Sequence, residues 1–397
     1  MTDELARRRW VILALLALVE FLGMSPWLLV GAVSDQLHLT PAQVAWLQAL
    51  VQVGFVAGSI TAATLNLPDL VPSRFFLAGC ALLVALVNAL PLLGPRLELL
   101  LASRFLIGFF LAGVYPPAMK MTATWFKSAR GLAIGILVAG LIAGKSMPFL
   151  FRSLGLDRWD EMIAAASVGA ALAGALVLVA YRDGPHSFPR RRFSWGLVPS
   201  ILAHRPTRLA IGGYVGHMWE LYAMWTWIPA FLAASSARAF GPAAVQAFAF
   251  AAIAMGALGS IWGGWTADRR GRAFVVILSM ALSGGCALVV GLFFAGSVAL
   301  LVPLVLVWGF FVVSDSAQFS AMVTEVTPAD SVGTALTLQT SLGYLISMAT
   351  IHAVPAIVQG PGWPWAFCAL AVGPALGILA IRRLTKINPV EFSTPSR

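Results

Sequence analysis

Apolar runs of about 20 residues follow one another along almost the whole chain, and this recurrence constrains the fold more than any other feature. An α-helix needs about that many apolar residues to cross the hydrocarbon core of a bilayer. Twelve such runs can be delimited, at approximately 10–33, 44–65, 75–93, 97–121, 131–151, 162–181, 209–232, 243–266, 274–295, 298–322, 334–357 and 363–381. We therefore predict an all-α polytopic membrane protein with twelve transmembrane helices.

The composition supports this class and excludes a soluble one. Of the 397 residues, 59% are hydrophobic and 11% are charged, whereas a soluble domain carries about 25% charged residues. Cys80, Cys286 and Cys368 lie in separate apolar runs, so we expect them to pack rather than to form disulfides or a zinc site. The sequence contains neither a P-loop nor a His-x-x-x-His cluster, so we expect no cofactor, no direct use of ATP and no metalloenzyme.

The net charge of +10 indicates topology rather than nucleic-acid binding, because the basic residues cluster between apolar runs. Arg7–Arg9 precede the first run, and the segment 182–208 holds six arginines. With the N-terminus in the cytoplasm, the outer side keeps only Arg96, Arg152, Arg158 and Arg238. This positive-inside bias predicts both termini in the cytoplasm, an inner (plasma) membrane location and the lipid bilayer as partner. Because no cleavage site follows the first run, we interpret it as a helix and not as a signal peptide.

The two halves of the sequence repeat one another. Glu20, Met24 and Trp27 recur as Glu220, Met224 and Trp227, at an offset of 200 positions. Three further pairs share an offset of 201: Gly58-Ser59-Ile60 with Gly259-Ser260-Ile261, Gly108-Phe109-Phe110 with Gly309-Phe310-Phe311, and Ser146-Met147 with Ser347-Met348. Parallel repeats of this kind predict two pseudo-symmetric six-helix halves, 1–181 and 209–397, joined by a cytoplasmic linker at 182–208.

The connection after the eighth run reads Gly264-Trp-Thr-Ala-Asp268-Arg269-Arg270-Gly271-Arg272. It resembles the signature loop G-x-x-x-D-R-x-G-R of the major facilitator superfamily. The resemblance implies a secondary transporter that works by alternating access, with this loop as a conformational latch. The latch residues would be Gly264, Asp268, Arg269, Gly271 and Arg272.

The residue types in this loop suit a latch. Glycine permits close approach and a tight turn, and a carboxylate such as Asp268 can accept hydrogen bonds from a helix N-terminus. The alternative is a plain basic turn. The corresponding segment after the second run, with Asp69 and Arg74, matches the signature poorly, so a latch on the N-terminal half is in doubt.

Helices 4 and 5 carry further resemblances. Arg104 in the fourth run is similar to an arginine of the superfamily, and the turn at 125–135 looks like that of organic-anion and nitrate-type branches. Proton-driven drug antiporters have a proline where this chain has Lys145, after Gly140 and Gly144. This departure argues against a standard drug exporter, and we expect the two glycines to serve close helix packing.

Charged residues within apolar runs are the candidates for proton coupling, because intramembrane charges are costly and mark ion or substrate routes. They are Glu20 and Glu220, near the midplane, with Asp315 and His217. Burial disfavours a charged carboxylate and a nearby arginine favours it, so we expect Arg104 to be a candidate partner of Glu20. That pair could instead be purely structural, and His217, on the helical face of Glu220, could equally be a packing residue.

Basic and polar side chains in the same runs are the candidates for substrate binding. Arg104 and Lys145 could meet a negative group of the substrate, since Lys145 is costly at its depth without a partner. Further candidate contacts are Glu220, Trp219, Gln339 and Tyr344. The sequence thus predicts a transporter, expected to be monomeric, that takes up a small organic anion with protons. Alternatives are proton-coupled efflux of a drug or metabolite, and a non-transporting sensor or lipid-handling protein on the same fold.

Overall fold

The computed structural model describes residues 3–186, 193–236 and 240–388, and these residues form helices and connections without β-strands. Arg190–Arg192 and Arg238, which were used for the topology prediction, lie outside the described residues. The predicted architecture of twelve spanning helices is confirmed. They are α1 (Asp3–Gly23, continued by Leu29–Val33), α2 (Pro41–Thr64), α3 (Ser73–Leu93), α4 (Leu97–Ala123), α5 (Arg130–Ser153), α6 (Trp159–Ala180), α7 (Arg205–Ser236), α8 (Pro242–Arg270), α9 (Arg272–Phe293), α10 (Val298–Val326), α11 (Val332–Gln359) and α12 (Trp363–Ile387).

Ten of these helices are long and apolar enough to cross a membrane by length and hydropathy alone. The two others, α1 and α7, are the helices that carry the buried acids Glu20 and Glu220. Arg7–Arg9 in α1 and His217 in α7 also make these two helices less apolar. Among these residues, Glu20, Glu220 and His217 are candidates for proton coupling from the sequence, whereas Arg7–Arg9 are topology signals.

The duplication is visible in the packing of glycines against backbone carbonyls. In the N-terminal half, Gly58 of α2 packs on the carbonyl of Phe109, and Gly108 of α4 packs on that of Val51. In the C-terminal half, Gly259 packs on the carbonyl of Phe310, and Gly309 on that of Ala252. All four positions shift by 201, so the α2–α4 crossing is repeated as the α8–α10 crossing.

The halves meet closely along α5 and α8. A Cβ atom at Gly131 or Gly264 would overlap the backbone of the other helix, and Ser260 Oγ donates to the carbonyl of Gly135 at 3.2 Å. On the other side of the bundle, Ser347 Oγ of α11 donates to Gln52 Oε1 of α2 at 2.7 Å. We call the end of the bundle that carries the α6–α7 connection the linker end.

Candidate functional site

A cavity of about 480 Å³ lies between the two halves and reaches the linker end. Its walls come from α2, α4, α5, α7, α10 and α11 and are mostly apolar. Basic residues at the linker end include Lys120, Arg130 and Arg272. Lys145 and Tyr344, both predicted from the sequence as substrate contacts, border the cavity.

Lys145 lies at the deep end of the cavity and is only 2% exposed. Its Nζ donates to Tyr222 Oη at 2.8 Å and lies 3.8 Å from the ring centroid of Trp27. Tyr222 Oη is in turn 3.2 Å from Tyr344 Oη. The ammonium thus donates to a phenol and lies against aromatic faces, which are neutral groups.

Five aromatic side chains close the cavity at this deep end, and we call them the aromatic roof: Trp27, Phe55, Tyr222, Trp225 and Tyr344. All are nearly fully buried. Trp27 lies 5.7 Å from both Tyr222 and Tyr344 between ring centroids, and Phe55 lies 4.8 Å from Tyr344. The roof therefore joins the N-terminal half to the C-terminal half.

Sequence reasoning missed most of the roof as a site. Trp27 and Tyr222 both belong to the repeated segments at 20–27 and 220–227, but nothing in the pattern distinguishes a roof residue from a packing residue. Phe55 carries no signal, because an aromatic residue in an apolar run is ordinary. Only the pairing of Trp27 with a buried cation singles it out.

Glu20 is completely buried, and neither of its carboxylate oxygens has a hydrogen-bond partner among the described residues. Gly140 and Gly144 of α5 pack on the carbonyls of Ala17 and Phe21 in α1, so the two helices cross closely at this level. The crossing brings Glu20 within electrostatic range of Lys145. The glycine pair thus has the packing role expected from the sequence.

Arg104 does not pair with Glu20, contrary to our expectation from the sequence. Its guanidinium donates to the carbonyl oxygens of Pro26 at 2.6 Å, of Trp27, and of Leu47 at 3.5 Å. The reason is the break in α1 after Gly23, which weakens the local backbone hydrogen bonds in the membrane interior, so that the Pro26 carbonyl accepts from the Leu29 N–H at 3.5 Å. Arg104 donates to these carbonyls and does not line the cavity.

Glu220 also lies outside the cavity, within the C-terminal half. Its Oε1 accepts from Trp308 Nε1 at 2.7 Å and its Oε2 accepts from Ser283 Oγ at 2.8 Å. Trp219 donates to the carbonyl of Ala369 at 3.0 Å, and Gln339 donates to Ser320 Oγ at 3.2 Å. Glu220, Trp219 and Gln339 are therefore placed behind the cavity wall rather than on it.

His217 and Asp315 form a second buried polar pair in the C-terminal half. His217 Nδ1 lies 2.9 Å from Asp315 Oδ1, and both side chains are 2% exposed. Asp315 stands where α10 is interrupted between Ser314 and Ser316. Glu220 and Asp315 are close enough to interact electrostatically, so three of the four candidate proton carriers form one group on α7 and α10, whereas Glu20 lies beside Lys145.

The signature loop contacts the opposite half through Asp268. Its Oδ2 accepts from the backbone N–H of Leu132 at 3.2 Å, in the first turn of α5. Ala129, which precedes α5, has no side-chain oxygen to cap that helix. Asp268 therefore caps a helix of the other half, and a Cβ atom at Gly131 would collide with the carboxylate.

The arginines of the loop make contacts inside the C-terminal half. Arg272 Nε donates to Glu325 Oε1 at 2.7 Å and Arg272 Nη1 donates to Gln318 Oε1 at 3.1 Å, which ties the start of α9 to α10. The Arg269 guanidinium stacks 3.6 Å from the ring centroid of Trp265. Gly271 adopts φ of 85°, a conformation that favours glycine at this turn.

The sequence matches one family profile and is similar to a bacterial protein. The profile described as Major Facilitator Superfamily matches residues 10–348. A protein of Bacillus subtilis (strain 168), "Uncharacterized MFS-type transporter YfnC", is 25% identical over 307 residues, which cover 72% of this chain and 71% of that protein.

Two solved structures share the fold at low sequence identity. A bacterial homologue of the human lysosomal transporter Spinster, in an inward-facing and unoccupied conformation, superposes with a TM-score of 0.69 at 15% identity, covering 98% of this chain and 99% of that chain. The nucleoside transporter NupG, in a mutant form, gives a TM-score of 0.70 at 14% identity and covers 94% of this chain and 99% of that chain. At these identities the likeness concerns the fold alone.

Proposed function

The chain belongs to the major facilitator superfamily, a family of membrane transporters, and from this membership and the cavity we propose that it carries a small organic anion together with protons. The proposal places the linker end in the cytoplasm of a cell with the protein in its inner membrane, because most arginines lie at that end. It treats the protein as a monomer whose two halves alternate around the cavity.

The single observation that carries the anion proposal is the environment of Lys145. A buried ammonium is costly unless an anionic or strongly polar group meets it. The contacts described above are neutral: the Tyr222 hydroxyl and the ring of Trp27. Glu20 lies within electrostatic range, but its oxygens have no hydrogen bond to the ammonium. A carboxylate of the substrate, entering the cavity beneath the aromatic roof, would supply an anionic hydrogen-bond partner.

The basic residues at the linker end of the cavity also favour a negatively charged substrate. Lys120, Arg130 and Arg272 line it, with Glu325 paired to Arg272. A funnel lined mainly by one sign of charge raises the local concentration of oppositely charged solutes. An anion would be attracted to this entrance and then pass along apolar walls to Lys145.

The position of Glu20 supports coupling to protons. Glu20 is buried and within electrostatic range of Lys145. While Lys145 has no anionic ligand, its charge favours an ionised Glu20. When a substrate carboxylate binds Lys145 and offsets that charge, burial favours protonation of Glu20. Anion and proton would then bind together, which is the requirement for symport.

Glu220, His217 and Asp315 are a second candidate route for protons. They lie in the C-terminal half away from the cavity lining, so they would not touch the substrate. Their influence would pass through α10, which is interrupted at Asp315 and lines the cavity with the residues that follow, such as Ser316 and Ser320.

Efflux remains the second candidate function, but one of its premises has changed. A Glu20–Arg104 pair could have served as the exchange pair for efflux, but Arg104 instead binds the carbonyls of the α1 break. A sensor on the same fold would bind ligand without moving it.

Flux measurements test the proposal. Purified protein is first screened by thermal shift against benzoate, lactate, benzylamine and benzyl alcohol, and the best ligand is then offered to proteoliposomes with an imposed pH gradient. We expect carboxylates to stabilise the protein and to accumulate when the outside is more acidic. Stabilisation by the amine alone would overturn the anion assignment, and binding without flux would favour a sensor.

A further inference from the structure

A second, apolar pocket of about 330 Å³ lies on the outer surface of the N-terminal half, between α2, α3 and α4 near the linker end. Among its described lining residues, Thr61 supplies the one hydroxyl, and the rest of the wall includes Phe75, Phe109 and Phe110. Leu86 and Leu82 of α3 are exposed on the same helix. A surface of this kind in a spanning helix faces hydrocarbon rather than water.

The internal repeat shows that this pocket belongs to one half only. At the offset of 201, Thr61 corresponds to Trp262, and Phe109 and Phe110 correspond to Phe310 and Phe311. The Trp262 ring lies 5.6 Å from Phe310 and 5.7 Å from Phe311 between centroids. An indole thus occupies, in the C-terminal half, the place that Thr61 leaves open.

The pocket also accounts for the weak copy of the signature loop. Leu67 and Val71 stand 201 positions before Asp268 and Arg272. In the C-terminal half those two positions hold the cap on α5 and the ion pair with Glu325. In the N-terminal half the corresponding residues are apolar and form part of the pocket wall.

The position of the pocket in the membrane and the charge of Arg74 beside it indicate what kind of molecule the pocket would bind. A hydrocarbon chain is the molecule that a membrane offers to an apolar pocket at this position. Arg74, at the linker end of α3, lies with its guanidinium 4.5 Å from the ring centroid of Phe75, which lines the pocket. A guanidinium at the interface attracts anionic lipid headgroups.

We propose that this pocket binds one acyl chain of an anionic phospholipid, with the phosphate of its headgroup at Arg74. The pocket shares Ala62 and Phe76 with the wall of the central cavity. A bound chain would therefore support the side chain of Phe76 from behind, and the lipid becomes part of the wall along which the transported solute moves.

The central test replaces Thr61 with the residue type that the C-terminal half has at the equivalent position, Trp262. Thr61→Trp fills the pocket as Trp262 fills its counterpart, whereas Thr61→Val keeps the size of the side chain and leaves the pocket open. Purified full-length protein is mixed with phosphatidylglycerol or phosphatidylcholine of identical acyl chains, and retained lipid is measured by native mass spectrometry. We expect the wild-type protein and Thr61→Val to retain phosphatidylglycerol preferentially, and Thr61→Trp to retain it several-fold less.

A second variant fills the pocket from the opposite wall. A Cβ atom at Gly79 of α3 would meet open space, and so would one at Gly285 of α9, which lies away from the pocket. Gly79→Leu should lose phosphatidylglycerol while Gly285→Leu retains it, with melting temperatures confirming that both are folded. Arg74→Gln should abolish the preference over phosphatidylcholine. Wild-type retention by both Thr61→Trp and Gly79→Leu, or equal retention of the two lipids by the wild-type protein, would overturn the proposal.

Discussion

Lys145 Nζ of the N-terminal half donates to Tyr222 Oη of the C-terminal half at 2.8 Å, and this hydrogen bond joins the halves at the deep end of the cavity. Groups that join two moving halves cannot keep the same contacts in every conformation of a carrier. The bond is therefore placed where substrate binding and rearrangement of the halves affect the same atoms.

Replacing Lys145 tests the sign of the substrate. A hydrogen bond to a charged group contributes about 1.5–3 kcal/mol, so Lys145→Ala should weaken binding of carboxylates on the order of tenfold to a hundredfold. Neutral analogues should lose far less affinity. Tyr222→Phe is the matched control, because it removes the hydroxyl and keeps both the ring and the ammonium. Titration of ligand by thermal shift or calorimetry gives the ratio, and equal losses for charged and neutral ligands would contradict the anion assignment.

The sequence predicted Lys145 and Tyr344 as site residues but missed Trp27, Phe55 and Tyr222 of the roof for a physical reason. A charge in an apolar run is visible because the membrane penalises it. Trp27, Phe55 and Tyr222 carry no such penalty, since aromatic residues suit lipid, interfaces and cores alike. Their role appears only when several helices are brought together.

The sequence likewise does not reveal where a helix breaks or how a helix is rotated. Arg104 reads as a candidate ion-pair partner until the break of α1 reveals carbonyls that accept from its guanidinium. Glu220 was rightly found as a buried acid, but its direction depends on how α7 is rotated. Trp308 and Ser283, which donate hydrogen bonds to its carboxylate, lie 88 and 63 positions away in the sequence. By contrast, helix number and duplication follow from run length and offset, and both were predicted.

The contact between Asp268 and α5 predicts a transport defect without a binding defect. A side-chain cap contributes about 0.5–2 kcal/mol, so Asp268→Ala should destabilise the conformation in which α5 and α8 meet at the linker end. Asp268→Asn retains an acceptor oxygen and should have a smaller effect. We expect slower transport by both variants with normal expression and ligand binding.

The control for this prediction comes from the same loop. Arg269 stacks on Trp265 within its own half, so Arg269→Gln should leave the Asp268 cap on α5 in place and transport at close to the wild-type rate. Gly131→Ala should resemble Asp268→Ala, because the added methyl group displaces the carboxylate. Wild-type kinetics in both Asp268→Ala and Gly131→Ala would reduce the loop to a solvated turn.

Glu20 and Arg104 should behave differently because they are not partners. If Glu20 and Arg104 formed the ion pair considered from the sequence, Glu20→Gln would leave Arg104 without its partner and harm folding. Since Arg104 is satisfied by backbone carbonyls, we instead expect Glu20→Gln to fold normally and to lose the acid stimulation of uptake. Arg104→Leu should lower the melting temperature, because the carbonyls of Pro26 and Trp27 lose the guanidinium that donates to them. A melting temperature for Glu20→Gln as low as that of Arg104→Leu would contradict this separation.

Glu220 provides the final test of the proposed proton coupling, because its variant distinguishes the candidate acid of the C-terminal half from Glu20 in the N-terminal half. A glutamine at this position can still accept from Trp308 Nε1 and can donate to Ser283 Oγ, so Glu220→Gln should preserve the packing of α7 against α9 and α10. If Glu220 carries the coupled proton, the variant loses accumulation driven by a pH gradient and keeps exchange between equal pools, because exchange needs no net proton movement. Ser283→Ala removes one hydrogen bond without removing the titratable group and should keep accumulation. Counterflow and gradient-driven uptake in the same proteoliposomes measure the two activities. Normal accumulation in Glu220→Gln together with its loss in Glu20→Gln would place the coupling site beside Lys145 in the N-terminal half.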